Sequence, residues 1–158
     1  MLAFVALTGA RRSEVCRSRI DDFDFVNGVV HLRERKRVHG SAESIRAVDL
    51  NPMLVEVTRA WFAEHPGGDF TLAQEDGRPV SVDLAREHFR RTFDASDTWS
   101  VVKGFHAFRH SFASILAKRS VDQRVIDRLM GHQTEAMRQR YQHLFPQEKR
   151  RAIDDLLS

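Results

Sequence analysis

The chain has 158 residues, 42% of them hydrophobic, which fits one globular domain with a packed core. Its 25 Lys and Arg residues exceed the 22 Asp and Glu residues by only three, and this small excess does not by itself distinguish a DNA-binding protein from other enzymes. The single cysteine, Cys16, excludes an intramolecular disulfide and a zinc site made of cysteines. Residues 1–7 are apolar but too short for a membrane span or a signal peptide, so we expect a cytoplasmic protein with no membrane partner.

The first third of the chain predicts two short helices followed by a small sheet. Residues 1–7 resemble the end of a buried helix, which Thr8-Gly9 interrupts, and residues 13–18 form a second helix. Asn27-Gly28 is a strong hairpin turn signal. Alternating patterns around this turn predict three antiparallel strands, at residues 22–25, 29–32 and 45–50.

Two amphipathic helices are predicted next, each with a clear start signal. Asn51 is a suitable N-cap with Pro52 at the first helical position, and Ser81 is the N-cap of a helix that extends to about residue 93. The residues expected to face the core in these helices are Leu54, Val57, Trp61, Phe62, Leu84, His88, Phe89 and Phe93.

The central helix is predicted over residues 104–118. Its apolar face is formed by residues at three- and four-residue spacing, namely Phe108, Phe112, Ile115 and Leu116. His106 and Arg109 are three residues apart and share a different face. A guanidinium fork matches phosphate oxygens and an imidazole can transfer a proton, so this pair suits an oxyanion.

Further helices complete an α+β fold. A short helix begins at Val121-Asp122 and ends at Gly131, with Val125, Ile126 and Leu129 facing inward. Another is predicted at residues 134–141, and Pro146 begins the last one. The fold class predicted is therefore mostly α-helical, a helical bundle with a small three-stranded antiparallel sheet at one edge.

Positive charge is concentrated in the segment between the second and third predicted strands. Residues 33–46 carry a local excess of three positive charges, from five basic residues against Glu34 and Glu43. The basic residues are Arg33, Arg35, Lys36, Arg37 and Arg46. A basic hairpin of this kind is suited to contacting DNA phosphates.

Four sequence blocks in fixed order carry a family resemblance. They are residues 8–14 (Thr-Gly-Ala-Arg-Arg-Ser-Glu), the His106 and Arg109 pair, Gly131-His132, and residues 140–143, which contain Tyr141, the only tyrosine. In this order and rough spacing, the blocks resemble those of the catalytic domain of the tyrosine recombinases, the phage-integrase family. The resemblance extends from Leu2 to about Leu144.

The resemblance implies a role for each side chain that matches the family's blocks. Tyr141 would be the nucleophile that attacks a DNA phosphate, and Arg11 and Arg109 would clamp its non-bridging oxygens. Lys36, the only lysine of the basic hairpin, would be the general acid that protonates the departing 5′-oxygen. Arg12 departs from the family pattern, because an apolar residue is common at its position.

The remaining site residues follow from the same comparison. His106 would hydrogen-bond the phosphate or accept the proton of Tyr141, and His132 would donate to a phosphate oxygen. Glu14 and His110 would be structural supports. The residues expected to contact DNA outside the reaction centre are Arg33, Arg35, Arg37 and Arg46.

We expect neither a metal nor a nucleotide cofactor. His106 and His110 have the i, i+4 spacing of a zinc protease motif, but the glutamate that should lie between them is missing. Arg109 lies there instead, and its charge would repel a metal cation.

The activity implied is cleavage and rejoining of double-stranded DNA through a 3′-phosphotyrosine intermediate, without ATP. Four protomers would assemble on two DNA sites, with residues 1–144 as the core of a single catalytic domain. The helix at residues 145–158 would pack on its own domain or on a neighbouring protomer. An N-terminal DNA-binding domain is expected to precede this domain in a longer protein. Two alternatives are a type IB topoisomerase-like domain and a non-catalytic DNA-binding or regulatory module of the same fold.

Overall fold

The computed structural model describes residues 1–33, 45–102 and 104–131. The described part of the chain contains six helices and a three-stranded sheet. The helices are α1 (Leu2–Thr8), α2 (Arg12–Arg17), α3 (Pro52–Ala63), α4 (Val82–Asp94), α5 (Phe105–Lys118) and α6 (Gln123–Met130). A 3-10 turn at Ile20–Asp22 leads into the strands β1 (Phe23–Asp24), β2 (Val29–Arg33) and β3 (Ile45–Asp49).

The sheet is antiparallel throughout, in the order β1-β2-β3. Val30 pairs with Phe23 on one side and with Val48 on the other, so the buried face of the sheet is continuous. The predicted α+β class and the three-stranded sheet are both confirmed.

Local sequence signals set the ends of the helices. The Asn51 side chain accepts a hydrogen bond from the Met53 amide (2.9 Å) at the start of α3, and Ser81 Oγ accepts one from the Leu84 amide (3.1 Å) at the start of α4. Gly9 ends α1 in the left-handed conformation, at φ 64°. The predicted caps at Asn51 and Ser81 are therefore confirmed.

The inward faces of several helices differ from the predicted ones. On α5 the buried residues are four apart, namely Phe105, Arg109, Ala113 and Ala117. The small alanines allow close packing of α5, and this turns the larger Phe108 and Phe112 to partly buried positions. Four residues predicted to face the core are exposed to solvent instead, and the prediction was wrong for them: Val57, His88, Ile115 and Val125.

The core is rich in aromatic side chains near the start of α5. Phe89 stacks on Phe93 with ring centroids 4.4 Å apart and packs against Phe105 at 4.7 Å. Cys16 is buried, and burial raises the pKa of its thiol although the charges of Arg12 and Arg17 oppose the rise. None of the helices in the described ranges is long and apolar enough to span a membrane.

Candidate functional site

Arg109 is a buried cation in the second turn of α5, with 3% of its surface exposed. Its Nη1 donates to the carbonyl oxygen of Gly9 (2.5 Å), and its Nη2 donates to the carbonyl oxygen of Met130. These two carbonyls lie at the C-terminal ends of α1 and α6, where the helix dipole favours a positive charge. Packing and charge therefore fix Arg109 between three helices.

Arg11 is the N-cap residue of α2 and is held by Glu14 on the same helix. The Arg11 amide donates to Glu14 Oε2 (2.8 Å), and Arg11 Nη1 lies 2.6 Å from Glu14 Oε1. Nη2 of Arg11 donates to the carbonyl oxygen of Gly131 (3.0 Å). The Arg11 side chain keeps 29% of its surface exposed, so it is fixed in direction and still accessible to a ligand.

Glu14 holds a second arginine as well. It is 1% exposed, and its two carboxylate oxygens accept from Arg46 Nη1 (3.1 Å) and Nη2 (2.8 Å). Burial alone raises the pKa of Glu14, but the hydrogen bonds and charge of Arg46, together with the bonds from Arg11, outweigh it and lower the pKa below its ordinary value. Glu14 is therefore a charged carboxylate that links the start of α2 to β3.

Arg46 and Arg33, both predicted to contact DNA, are each paired with a carboxylate of this chain. Arg46 is 8% exposed, and its Nε also donates to the carbonyl oxygen of Leu129 (2.9 Å). Arg33 is half-buried, with Nε and Nη2 donating to Asp22 Oδ1 at 2.8 and 2.5 Å. Both guanidinium groups are engaged by buried carboxylates, and contact of either residue with DNA stays a prediction.

Together, three arginines hold the end of α6. Arg46, Arg109 and Arg11 donate in turn to the successive carbonyl oxygens of residues 129, 130 and 131. We call this arrangement the carbonyl clamp. It fixes the main chain immediately before His132, and it joins elements that are up to 120 residues apart in sequence.

A cleft of about 360 Å³ opens beside Arg11. His106, in the first turn of α5, lines this cleft and is exposed to solvent. The His110 ring lies behind it, with centroids 6.5 Å apart. Arg11 and His106, which are 95 positions apart in sequence, are thus brought to one cavity, with Arg109 fixed nearby through the carbonyl clamp.

The other predicted site residues lie outside the described part of the chain. They are Lys36, Arg35, Arg37, His132 and Tyr141. Two further arginines, Arg12 on α2 and Arg86 on α4, line the cleft without having been predicted as site residues. A signal for Arg12 was present, because it replaces the apolar residue that the family pattern favours. No sequence signal distinguished Arg86 from the other charged residues of α4.

The chain is similar to known proteins in family, sequence and structure. The Phage integrase family model matches residues 1–148. Tyrosine recombinase XerC of Proteus mirabilis is 31% identical over 155 residues, covering 91% of this chain and 46% of that protein. This chain therefore spans about half the length of the curated relatives it matches.

Two solved structures show the same fold. The structure of the Tn1549 transposon integrase in complex with transposon right end DNA superimposes with a TM-score of 0.77 at 20% identity, covering 99% of this chain and 58% of that one. The crystal structure of XerA recombinase gives a TM-score of 0.74 at 21% identity, covering 97% and 55%.

Proposed function

Because the chain belongs to the phage integrase family, we propose that it is the catalytic domain of a tyrosine-type site-specific DNA recombinase. The observation that carries this proposal is the placement of Arg11 and His106 in one cleft, with buried Arg109 fixed beside Arg11 through adjacent main-chain carbonyls. The relatives named tyrosine recombinases support the same activity.

In the proposed first step, the phenol oxygen of Tyr141 attacks a phosphorus atom of double-stranded DNA. The bond from phosphorus to the 5′-oxygen breaks as the bond to Tyr141 forms, which leaves a 3′-phosphotyrosine and a 5′-hydroxyl. A free tyrosine has a pKa of about 10, so the phenol must lose its proton during attack, and His106 accepts it. Lys36 donates a proton to the departing 5′-oxygen.

The arginines stabilise the charge that develops on the phosphate. The Arg11 side chain has 29% of its surface exposed, and its fixed guanidinium binds a non-bridging oxygen directly. Arg109 contributes a positive charge in a weakly screened, buried environment beside it, and His132 donates to a further oxygen. Glu14 keeps Arg11 in place, since its carboxylate bonds both the amide and the guanidinium of that residue.

In the second step, a 5′-hydroxyl from a partner strand attacks the phosphotyrosine and releases Tyr141. The energy of the broken phosphodiester is kept in the protein–DNA bond, so strand exchange needs neither ATP nor a metal ion. Four protomers on two DNA sites would carry out the exchange, with residues 145–158 packing on a neighbouring protomer or on their own domain.

The test is covalent trapping. The full-length protein is mixed with nicked suicide duplexes made from the DNA that it selects out of a random-sequence pool, and products are separated on a denaturing gel. We expect a protein–DNA adduct that is lost completely in Tyr141→Phe, because the proposed bond to DNA is made by the phenol oxygen of Tyr141. An adduct of equal yield in Tyr141→Phe, or binding without any adduct, would contradict the proposal.

A further inference from the structure

The cleft beside Arg11 has a basic rim and an apolar floor. Its rim carries Arg12 and Arg86 in addition to Arg11 and His106, and among the described residues no Asp or Glu lines it. The apolar residues of its lining are Val82, Phe89 and Phe105. Two arginines beyond those of the proposed reaction therefore face the same cavity.

The charges of these two arginines are only weakly compensated within the described residues. Arg12 is half-buried, and in the part of the chain that the structure describes it makes no hydrogen bond or ion pair. Arg86 Nη2 lies 3.7 Å from Asp83 Oδ1, with both side chains at least 70% exposed, so the pair is weak. By contrast, Arg91 on the same helix bonds Glu87 at 2.5 Å.

We propose that Arg12 and Arg86 bind a second phosphate of the DNA strand, next to the scissile phosphate held by Arg11. This inference rests on the proposed function. Arg12 follows Arg11 directly in the chain, so the two can contact neighbouring phosphates of one strand. Guanidinium forks match phosphate oxygens in geometry and charge. The Ser13 hydroxyl on the same rim is a further hydrogen-bond donor for this phosphate.

The apolar floor fits the same ligand. A deoxyribose lies between successive phosphates and presents carbon-bound hydrogens, which can pack on the floor formed by Val82, Phe89 and Phe105. A carboxylate or an isolated inorganic phosphate would leave this floor uncovered. A DNA strand that crosses the cleft with one phosphate at each end of the sugar satisfies both the rim and the floor.

The second phosphate would make Arg12 and Arg86 positioning residues. They do not touch the reacting atoms. They fix the DNA strand on one side of the scissile phosphorus, so the bound strand has less conformational freedom to lose when Tyr141 attacks. Their removal should therefore slow cleavage as well as weaken binding.

The test combines protein variants with single neutral phosphates in the DNA. A methylphosphonate, which lacks the charge, is placed in turn at each phosphate around the cleavage point of the selected duplex. Wild type, Arg12→Gln/Arg86→Gln and Arg12→Lys/Arg86→Lys are compared, with Arg91→Gln as a control that removes one positive charge from α4 outside the cleft. Affinity and adduct yield are measured for each combination of protein variant and modified duplex, and a thermal melt of each variant checks that it is folded.

For wild type and Arg91→Gln, we expect one phosphate next to the scissile one whose neutralisation lowers affinity about tenfold. In Arg12→Gln/Arg86→Gln, the methylphosphonate at that phosphate should lower affinity no further. Arg12→Lys/Arg86→Lys should regain part of the affinity that the double Gln variant loses. The same phosphate sensitivity in the double Gln variant as in wild type would overturn the inference. Because adduct formation by wild type on unmodified DNA is measured in parallel, a failure of the proposed function would be seen separately, as DNA binding without an adduct.

Discussion

At the residue scale, Glu14 is the residue of the described site that connects two arginines through one carboxylate. One buried carboxylate accepts hydrogen bonds from Arg11 and Arg46 at the same time. A buried charge is costly unless it is paired, and removing one member of such a set leaves the others uncompensated. Glu14 therefore stabilises the fold and also fixes the direction of the arginine that is proposed to bind the scissile phosphate.

Glu14→Gln should lower the free energy of unfolding by about 3 kcal/mol at neutral pH, because two arginines lose their counter-charge. The pKa of Glu14 is lowered in the folded state, so its stabilising effect is complete above the unfolded-state pKa of about 4.3 and is lost as pH falls through the folded-state pKa. The stability difference between wild type and Glu14→Gln should thus narrow below about pH 4 in urea unfolding curves. A difference that stays constant from neutral to acid pH would contradict this assignment.

Arg46 shows what sequence alone could and could not provide at this scale. Its charge and position in a basic segment favoured a DNA contact, whereas its strand alternation placed it on the same side as Val48, which is 3% exposed. Its buried partner, Glu14, is 32 positions away in sequence. Single-sequence patterns do not reveal a pairing over that distance, so the alternation could be predicted and the partner could not.

At the element scale, helix starts were predictable because their signals are local. The caps at Asn51 and Ser81 each depend on a hydrogen bond to an amide two or three residues away. The orientation of α5 was not predictable in the same way, because its inward column includes Arg109, which is buried only through carbonyls contributed by α1 and α6. Tertiary contacts therefore turned the helix relative to its apolar pattern.

The junction between α1 and α2 can be tested through Gly9. A methyl group there would lie 2.6 Å from Phe112 Cδ1 and 3.1 Å from Met130 Sδ, at a φ of +64°. Gly28 has a similar φ of +70° but nothing within 4 Å of the added atom, so it reports backbone strain alone. Gly28→Ala should cost about 1 kcal/mol of unfolding free energy, and Gly9→Ala about 2 kcal/mol more, because it adds a steric clash.

These glycine variants are to be compared by urea unfolding under identical conditions. Equal losses for Gly9→Ala and Gly28→Ala would show that α1, α5 and α6 do not pack as closely around Gly9 as described.

At the scale of the whole molecule, the chain spans about half the length of the curated relatives it matches, which bears on how it would hold DNA. A single domain contacts one side of a duplex, and phosphate contacts depend strongly on salt. We expect residues 1–158 alone to bind duplex DNA weakly, with affinity falling at least about a hundredfold between about 50 and 200 mM salt. Fluorescence anisotropy titrations across that range measure this, and tight binding that is insensitive to salt would contradict it.

The carbonyl clamp also bears on how freely this protein can vary. Its acceptors are main-chain oxygens at residues 129–131, which every amino acid supplies, while its donors are three particular arginines. Substitutions at position 129 that keep the helix intact can accumulate during evolution without removing the hydrogen bond from Arg46 to the main-chain oxygen. Replacement of any donor by a residue without a guanidinium group removes its hydrogen bond to the main chain. Related genes should therefore diverge at position 129 long before they diverge at the three arginines, whereas buried Met130 and Gly131, at φ 59°, are constrained by packing and backbone conformation.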